Sequence, residues 1–444
     1  MINLFEYYSQ EAWDLHYSIF SSGFKHPTIV LNDDGFLPRD VTSPIQYYTG
    51  FIKQNGKPLF FNELTIPKYW EIRSTSHSAT VWELDQKRAD IHFVEGNPYR
   101  QIKEVDWLSR DGKLFLKDYY NSSGHRFAQS CYSDKNNQKL STTYFNGKHQ
   151  EVLFENHVTG DIILNQDNHV FLFKSKVDFV LHYLQEANFN TNRIFYNSLG
   201  LPFLIAHYLN KPGKDILFWQ EKIHEDLPGN MRVLLNSSIR DTEIVVQNKD
   251  SFEKIVNMIS EEQKIKVSFA GYKYPFKRDN AGRLNALILT NSDQIVHLEK
   301  IVQENPQLNI HIGALTEMSS TLMAMERFEN VTLYPNISSK NVEYLFEICD
   351  IYLDINLGTE IISATREAFL NNMLCLAFEN TIHNQRYVTP RNIFSSLNLE
   401  NLLGMLKSLT HNPQQIIKLA MEQQELLNVE TTDKYRNIIR GKSL

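Results

Sequence analysis

The chain has 444 residues, of which 42% are hydrophobic, and its formal net charge is -7. This length suits roughly two to four domains, and the apolar content is high enough to fill their cores, which excludes a wholly disordered chain. Lysines and arginines are spread among the acidic residues without a basic stripe, which argues against nucleic acid as the main partner.

The cysteines and the N-terminal segment bear on the compartment. Cys131, Cys349 and Cys375 lie far apart and form no CxxC motif, and the last two fall in apolar runs. We interpret them as structural thiols in a reducing cytoplasm. The first residues, MINLFEYYSQEAW, lack the basic segment and apolar core of a signal peptide. No stretch reaches the ~18 apolar residues of a membrane span. We expect a soluble, cytoplasmic protein, with any membrane association peripheral and on the cytoplasmic face.

The chain opens with the pattern of a Rossmann-like β-α-β unit. Ile2–Glu6 has the composition of a buried strand, and Ser9 is a suitable N-cap for the amphipathic helix that follows. Pro27–Leu31 is the next predicted strand. The turn between the first strand and the helix, residues 7–10, contains no glycine.

From about residue 57 to 174, the pattern changes to short alternating runs separated by turn residues. In the clearest hairpin, Val105–Ser109 and Lys113–Lys117 flank the sequence Arg-Asp-Gly. This sequence indicates a hairpin because Asp-Gly supplies the positive φ that a tight turn needs. Roughly eight to ten strands of this kind predict an antiparallel sheet inserted into the first Rossmann-like domain.

Many positions of the insert that we expect to be exposed are aromatic, among them Trp82, Trp107, Phe115 and Tyr119. An open sheet has edges and a second face that must be covered, and aromatic side chains dominate interface anchors. These four residues are therefore candidates for a partner interface. The alternative is that they pack the sheet on its own domain.

After the insert, helices and strands alternate again, which predicts an α/β protein with two Rossmann-like domains. The first domain comprises residues 1–56 and 175–269, the insert residues 57–174, and the second domain residues 270–444 with C-terminal helices. Five strands are predicted in the second domain: Ala286–Leu289, Ile310–Gly313, Val331–Tyr334, Ile351–Ile355 and Met373–Phe378.

One turn of the second domain is placed to bind a ligand. The apolar run from Ile351 ends at Leu357-Gly358-Thr359, and the pattern from Glu360 to Leu370 predicts a helix before the next strand. Together they form the β-α-β crossover of a parallel sheet. Ligands in such sheets bind beyond the carboxyl ends of the strands, where helix N-termini offer N–H groups to anions.

This turn and helix resemble the nucleotide-sugar site of retaining glycosyltransferases with the GT-B fold, which carry a Glu, seven intervening residues and a second Glu here. Glu367, followed by Ala368, occupies the second position, which in that family holds the ribose hydroxyls. Thr359 occupies the first position, and Glu360 is one residue out of step, which is about 100° of rotation on a helix. The family also places a glycine-rich turn after its first strand. The resemblance therefore implies a GT-B fold that has lost its donor chemistry.

More narrowly, the whole chain is similar to the GtfB family of glycosyltransferase-stabilising subunits of the bacterial accessory Sec system, in size, domain order and the altered turn at Thr359. The resemblance implies a non-catalytic subunit without a cofactor. It implies a heterotetramer, two copies of each subunit, with a catalytic GtfA-type glycosyltransferase that transfers N-acetylglucosamine to Ser and Thr of a serine-rich repeat adhesin. It further implies that the subunits associate through the insert, and that the C-terminal helices return to the first domain.

The candidate cleft residues are chosen for two reasons: basic groups can bind a diphosphate, and the turn at Thr359 is placed to bind a ligand. A donor diphosphate needs basic groups near the start of the second domain; the alternative for those residues is an ordinary solvated linker. A strand histidine beside Gly313 could line the cleft or be a hydrogen-bonded core residue. The candidates are Lys273, Lys277, Arg278, His311, Thr359, Glu360 and Glu367. We predict no metal site, because the histidines lack ligand spacing and Asp33-Asp34-Gly35 is typical of a turn.

Two functions stay open on the sequence alone. The first is a non-catalytic subunit that binds an acceptor polypeptide and stabilises a catalytic partner. The second is an active retaining glycosyltransferase with a UDP-sugar donor, in which Glu360 or another carboxylate replaces the missing Glu. The second predicts saturable nucleotide-sugar binding by the isolated chain and loss of activity in Glu367→Ala.

Overall fold

The structure is a computed structural model and describes residues 1–51, 56–75, 78–94, 99–236 and 240–441. These residues form two compact units. The first comprises residues 1–270 and the C-terminal segment from 432, and the second comprises residues 271–431. Each unit contains a parallel sheet with its own apolar core, and the first also contains a large antiparallel sheet.

The first unit opens as the sequence predicts. Its first elements are β1 (Ile2–Phe5), α1 (Gln10–Ser21), β2 (Thr28–Val30), β3 (Val41–Thr42) and α2 (Pro44–Thr49). The hydroxyl of Ser9 accepts a hydrogen bond from the backbone N–H of Ala12 at 3.3 Å. This bond caps α1 and satisfies one of the N–H groups left unpaired at a helix start.

The insert is one antiparallel sheet of ten strands in sequential order, with β4 and β13 at its edges. The strands are β4 (Glu71–Ser74), β5 (Ala79–Glu83), β6 (Gln86–Phe93), β7 (Ile102–Leu108), β8 (Leu114–Tyr120), β9 (Arg126–Tyr132), β10 (Lys139–Phe145), β11 (Glu151–Asn156), β12 (Ile162–Gln166) and β13 (His169–Phe173). The predicted hairpin is β7–β8, and Gly112 in its turn has φ +74°, a conformation that glycine adopts without steric cost.

The chain then completes the first unit. The elements are α3 (Lys176–Glu186), β14 (Ile194–Tyr196), α4 (Leu201–Tyr208), β15 (Gly213–Trp219), α5 (Gly229–Asn236), β16 (Arg240–Val246), α6 (Lys249–Met258), α7 (Glu261–Lys264) and β17 (Val267–Phe269). The parallel sheet has the order β17-β16-β15-β14-β1-β2-β3, so the insert lies in the connection between β3 and β14.

The second unit has a six-stranded parallel sheet in the order β20-β19-β18-β21-β22-β23. Its elements are β18 (Asn285–Thr290), α8 (Leu298–Glu304), β19 (Asn309–Ala314), α9 (Ser320–Met323), β20 (Val331–Tyr334), α10 (Ser339–Ile348), β21 (Ile351–Asp354), α11 (Ala364–Leu370), β22 (Leu374–Phe378), β23 (Ile393–Phe394), α12 (Leu399–His411) and α13 (Gln414–Leu426). The sequence pattern predicts five strands here. The sixth, β23, is too short to produce an alternating pattern.

The last helix, α14 (Thr432–Arg440), belongs to the first unit. This differs from the predicted boundary, which assigned all of residues 270–444 to the second domain. Tyr435 is fully buried and its hydroxyl accepts a hydrogen bond from Nε2 of Gln247 at 3.1 Å, and Ile438 and Ile439 are also buried. Burial of this apolar face fixes α14 on the first unit.

The cysteines are free thiols, with Cys349 and Cys375 buried and Cys131 half-buried. Within the described ranges, every helix is too short or too polar to cross a lipid bilayer.

Candidate functional site

The strand order of the second unit reverses between β18 and β21. β18 comes first in the sequence, β19 and β20 lie on one side of it, and β21 to β23 lie on the other. Ligands of open α/β sheets bind beyond the carboxyl ends of the strands at such a reversal. The segments after β18 and β21, residues 291–297 and 355–363, therefore form the candidate site.

The two segments are bonded to each other. Two backbone hydrogen bonds of 2.8 and 2.9 Å join them. The buried Asn356 donates from Nδ2 to the carbonyl of Leu289 at 3.1 Å, and its Oδ1 accepts from the N–H of Gly358 at 3.1 Å. A Cβ at Gly358 would lie 2.0 Å from Oδ1 of Asn291. Glycine at 358 therefore allows the close approach of the two segments.

Thr359 and Glu360 both take part in local hydrogen bonds. Oγ1 of Thr359 accepts a hydrogen bond from Nδ2 of Asn291 at 2.6 Å. Oε1 of Glu360 accepts from the backbone N–H of Thr365 at 2.9 Å. The helix predicted from Glu360 begins only at Ala364. Thr359 and Glu360 are therefore not on a helix, and the predicted rotation of about 100° between them is wrong. Glu360 lies before the helix, and its carboxylate accepts a hydrogen bond from one of the first backbone N–H groups of α11. The N-terminus of a helix favours negative charge.

Glu367, on α11, forms an ion pair with Lys277. Nζ of Lys277 lies 2.5 Å from Oε2 of Glu367, and the backbone N–H of Lys277 donates to the carbonyl of Leu370 at 2.8 Å. Two of the predicted site residues are thus brought together. Their pairing attaches the first segment of the second unit to α11.

Arg278 lies at the amino-terminal end of β21, whereas the Thr359 turn follows its carboxyl end. It pairs with Asp350, which immediately precedes β21 and is fully buried, at 2.6 Å, and Arg283 pairs with the same carboxylate at 3.0 Å. Burial alone would raise the pKa of Asp350, but the hydrogen bonds from Arg283 and Arg278 hold it below its usual value. A buried carboxylate requires such partners, and this explains Arg278 without a ligand.

Lys273 lies in an extended segment anchored by aromatic packing. Its neighbours Tyr272 and Tyr274 are buried, and the Tyr274 ring contacts Phe369 and Tyr387 with centroid separations of 5.0 and 6.2 Å. Lys273 itself is half-buried. The basic residues at the start of the second unit therefore occur in a segment whose conformation is set by apolar contacts.

His311 lies within β19 rather than at its end. It is opposite Leu287 and Thr332 in the sheet, and Nδ1 lies 3.2 Å from the hydroxyl of Tyr334. Burial lowers the pKa of His311, because desolvation disfavours the imidazolium. The structure thus places His311 away from the Thr359 turn.

His383 was not among the predicted site residues, yet its ring links Asp354 to the backbone of the Thr359 turn. Its Nδ1 lies 2.5 Å from Oδ1 of the fully buried Asp354, its backbone N–H donates to Oδ2 at 2.8 Å, and Nε2 lies 2.7 Å from the carbonyl oxygen of Gly358. The hydrogen bond to Asp354, aided by that to Gly358, raises the pKa of His383 to about 9 against the opposing effect of burial. The imidazolium can donate through both ring nitrogens. The sequence signal that could have indicated this site is Asp354, an aspartate at the end of a buried strand that needs a hydrogen-bonding partner.

The four candidate interface aromatics do not share one face of the insert. Trp107 is directly opposite Leu116, so these two side chains lie on one face, whereas Tyr119, three residues after Leu116 in regular register, lies on the other. Phe115 lies at a register shift, where Trp107 pairs with Leu116 and Leu108 pairs with Leu114, so simple alternation does not assign its face. Trp82 lies on the same face as Tyr119. Its neighbour Val81 is opposite Ala89, and Ala89 is opposite Trp107, so Val81 shares the face of Trp107 and Trp82 lies on the other.

The surroundings of these aromatics also differ. The Trp107 indole N–H donates to Asp118 at 2.7 Å, and the guanidinium of Arg73 lies 4.4 Å from the Trp82 ring centroid. Tyr119 packs against the core of the first unit. Phe115, at 39%, is the most exposed of the four.

Among the described residues, no group of three or more His, Cys, Asp and Glu side chains could hold a metal ion. Asp33 instead accepts hydrogen bonds from the N–H of Gly35 at 2.8 Å and the hydroxyl of Ser43 at 2.6 Å. This is the local hydrogen bonding expected of a turn aspartate.

Comparison with known proteins places the chain in a family. Family models match successive segments: the GtfB N-terminal domain (residues 2–48), the GtfB middle domain (70–174), the GtfB third domain (176–258) and the GftB/GlyA-F C-terminal domain (286–424). The chain is 42% identical to the UDP-N-acetylglucosamine–peptide N-acetylglucosaminyltransferase stabilizing protein GtfB of Streptococcus agalactiae over 99% of both chains. It is 43% identical to that of Streptococcus gordonii over 92% of this chain and 91% of the relative.

Solved structures agree. The chain matches a chain of the crystal structure of the GtfA/B complex bound to UDP and GlcNAc with a TM-score of 0.93 and 41% identity, over 99% of both chains. A chain of the glycosylation-associated protein (Gap123) complex from Streptococcus agalactiae shares the fold alone, with a TM-score of 0.63 at 10% identity. The predicted α/β fold class is confirmed by these matches. The chain belongs to the GtfB family of glycosyltransferase-stabilising proteins.

Proposed function

We propose that this chain is the non-catalytic, stabilising subunit of a peptide N-acetylglucosaminyltransferase and acts with a catalytic GtfA-type subunit that uses UDP-N-acetylglucosamine. Relatives that the chain matches over 92% to 99% of its length are named as stabilising proteins of such an enzyme. The similar solved structure is that of a GtfA/B complex.

The hydrogen bonding around Thr359 carries the non-catalytic part of the proposal. A donor nucleotide requires polar groups that are free to meet its hydroxyls and its diphosphate. Here the Thr359 hydroxyl is held by Asn291, the Glu360 carboxylate caps α11, and Glu367 is paired with Lys277. A donor that contacts these three side chains would compete with their intramolecular partners.

In this proposal the chain supplies acceptor recognition and its partner supplies the chemistry. The acceptor is a serine-rich repeat adhesin of an accessory Sec system, glycosylated on Ser and Thr. An extended polypeptide can be bound through backbone hydrogen bonds and shallow pockets without donor machinery. We assign the acceptor contact to Thr359, Glu360 and the Lys277–Glu367 pair.

The proposal extends to assembly and location. The two subunits form a heterotetramer with two copies of each, through the inserted sheet, and Phe115, the most exposed of the four candidate aromatics, is the proposed contact. The complex acts in the cytoplasm, with peripheral association at the membrane.

Calorimetric titration of the purified chain with UDP-N-acetylglucosamine tests the missing donor site. We expect no saturable heat, while the catalytic subunit, titrated in parallel, binds the nucleotide sugar. Saturable binding at micromolar concentration by this chain alone would refute the proposal and favour the active retaining glycosyltransferase.

A second experiment tests the stabilising role. Because a ligand that binds only the folded state raises its apparent stability, the thermal unfolding midpoint of the catalytic subunit should rise when this chain is added in excess. An unchanged midpoint, with no complex on size exclusion, would contradict that role.

A further inference from the structure

The two edge strands of the ten-stranded sheet differ in their protection. β4 carries Glu71 and Arg73, which form an ion pair. β13 carries no Asp, Glu, Lys, Arg or Pro, although edge strands of soluble proteins usually contain such residues to prevent pairing with another chain. Val170 and Leu172 on β13 are 71% and 56% exposed. Within the part of the chain that the structure describes, no strand pairs with the outer edge of β13, so this edge is open to another strand.

The opposite side of β13 is firmly held in the first unit. Phe171 and Phe173 alternate with Val170 and Leu172, and their ring centroids lie 5.4 and 5.1 Å from that of His182 on α3. Five cross-strand positions pair β13 with β12. β13 is thus a fixed, extended strand with one free edge, which is the geometry that strand addition requires.

An apolar row on the sheet surface leads to this edge. Leu172 is opposite Ile163 on β12, and Ile163 is opposite Phe154 on β11. Ile163 and Phe154 are half-buried and Leu172 is exposed. An added strand with an apolar side chain next to Leu172 would extend the row, because directly opposite side chains of paired strands are in contact.

We infer that β13 pairs antiparallel with β13 of a second copy of this chain, in a two-fold symmetric register centred on Phe171. This register places Val170 of each copy opposite Leu172 of the other, so that the two exposed apolar positions complete each other's rows. Such self-complementarity defines an isologous interface. The inference does not depend on the proposed function.

The charges that flank β13 agree with a second copy as the occupant. Asp167 precedes the strand and Lys174 follows it, and both are exposed. In the register centred on Phe171, Lys174 of one copy is opposite Asn168 of the other and beside its Asp167. Opposite charges therefore meet at both ends of the paired strands, and no like charges are brought together along them.

Cysteine cross-linking tests the register. In antiparallel pairs, opposite Cα atoms are about 4.5–5.5 Å apart, which is within the range of about 4.4–6.8 Å for a disulfide. Phe171→Cys should therefore form a covalent dimer on mild oxidation. Val158→Cys is the matched control, because Val158 is 64% exposed in a turn of the same sheet. Dimer yields for Phe171→Cys no higher than for Val158→Cys and the wild-type chain would overturn the inference.

Sedimentation velocity of the full chain tests the interface without altering the packed face. The wild-type chain should dimerise in a concentration-dependent manner, and V170K/L172K should raise the dimer dissociation constant at least tenfold. Ile265→Lys, at a position 89% exposed outside the sheet, should leave it unchanged. A wild-type chain that stays monomeric at tens of micromolar would overturn the inference. The inference would also be overturned if the V170K/L172K chain dimerised like the wild type but no longer bound the catalytic subunit, since the β13 edge would then belong to the interface with that subunit.

Discussion

His383 makes the stability of the second unit depend on pH in a predictable direction. Its pKa in the folded chain is about 9, against an ordinary value of 6.5, so the folded state favours the protonated ring. At 1.36 kcal/mol per pKa unit, this difference corresponds to about 3 kcal/mol of stability. Because the folded pKa is raised, that contribution is fully present below pH 6.5. It is lost as the pH rises from 6.5 through 9.

His383→Gln removes the titrating ring, and urea unfolding of the wild-type and variant chains at a series of pH values measures its contribution. We expect the free energies of unfolding to differ by about 3 kcal/mol at pH 6 and to converge by about pH 9.5. Because the chain has two units, the transition of the second must be followed separately.

His311→Gln is the matched control for this experiment. Burial lowers the pKa of His311, so the wild-type His311 side chain costs stability as the pH falls below its unfolded pKa. The difference between the wild-type and His311→Gln chains therefore changes in the opposite sense. A wild-type minus His383→Gln difference that stayed constant from pH 6 to 9.5 would refute the assignment of the imidazolium to the Asp354–Gly358 bridge.

Three further substitutions test other parts of the structure. Gly358→Ala should destabilise the second unit by about 1–3 kcal/mol in urea unfolding, because its Cβ would meet Asn291 at 2.0 Å, whereas Gly404→Ala, with no atom within 4 Å, should be neutral or stabilise by up to about 1 kcal/mol; equal effects would contradict the close approach. Asp350→Ala should cost about 3–5 kcal/mol, because it leaves the half-buried donors of Arg278 and Arg283 without their carboxylate, and a cost below about 1 kcal/mol in the same assay would contradict that role. Phe115→Ala should weaken co-purification with the catalytic subunit while circular dichroism remains unchanged, and retained association would exclude Phe115 as an interface anchor.

The proposed loss of donor chemistry concerns side chains that are present but bonded elsewhere. Glu360 is one residue from the first position where the GT-B resemblance requires a carboxylate, and Glu367 occupies the second. Glu360 caps α11 and Glu367 binds Lys277. Presence of an acid in the sequence is therefore a weaker indication of catalysis than the partner that the acid has in the fold.

The sequence by itself determined the arrangement of elements along the chain. Apolar period and turn residues are local properties, and they located the opening β-α-β unit, the β7–β8 hairpin with its Asp-Gly turn, and the alternation in the second unit. Helix starts were less accurate, as the late start of α11 at Ala364 shows. There, two residues with positive φ, Ile362 and Ser363, precede the helix, and their side chains give no local signal for that conformation.

Only the tertiary structure decided which polar residues meet. Asp354 and His383 are 29 residues apart, and Arg278 and Asp350 are 72 apart, and no spacing rule joins either pair. The partner of a buried charge is set by which strands become neighbours, because a charge in the interior must be compensated by whatever donor the fold brings within hydrogen-bonding distance. The faces of Trp107 and Tyr119 were likewise decided by strand register, which a single sequence does not state.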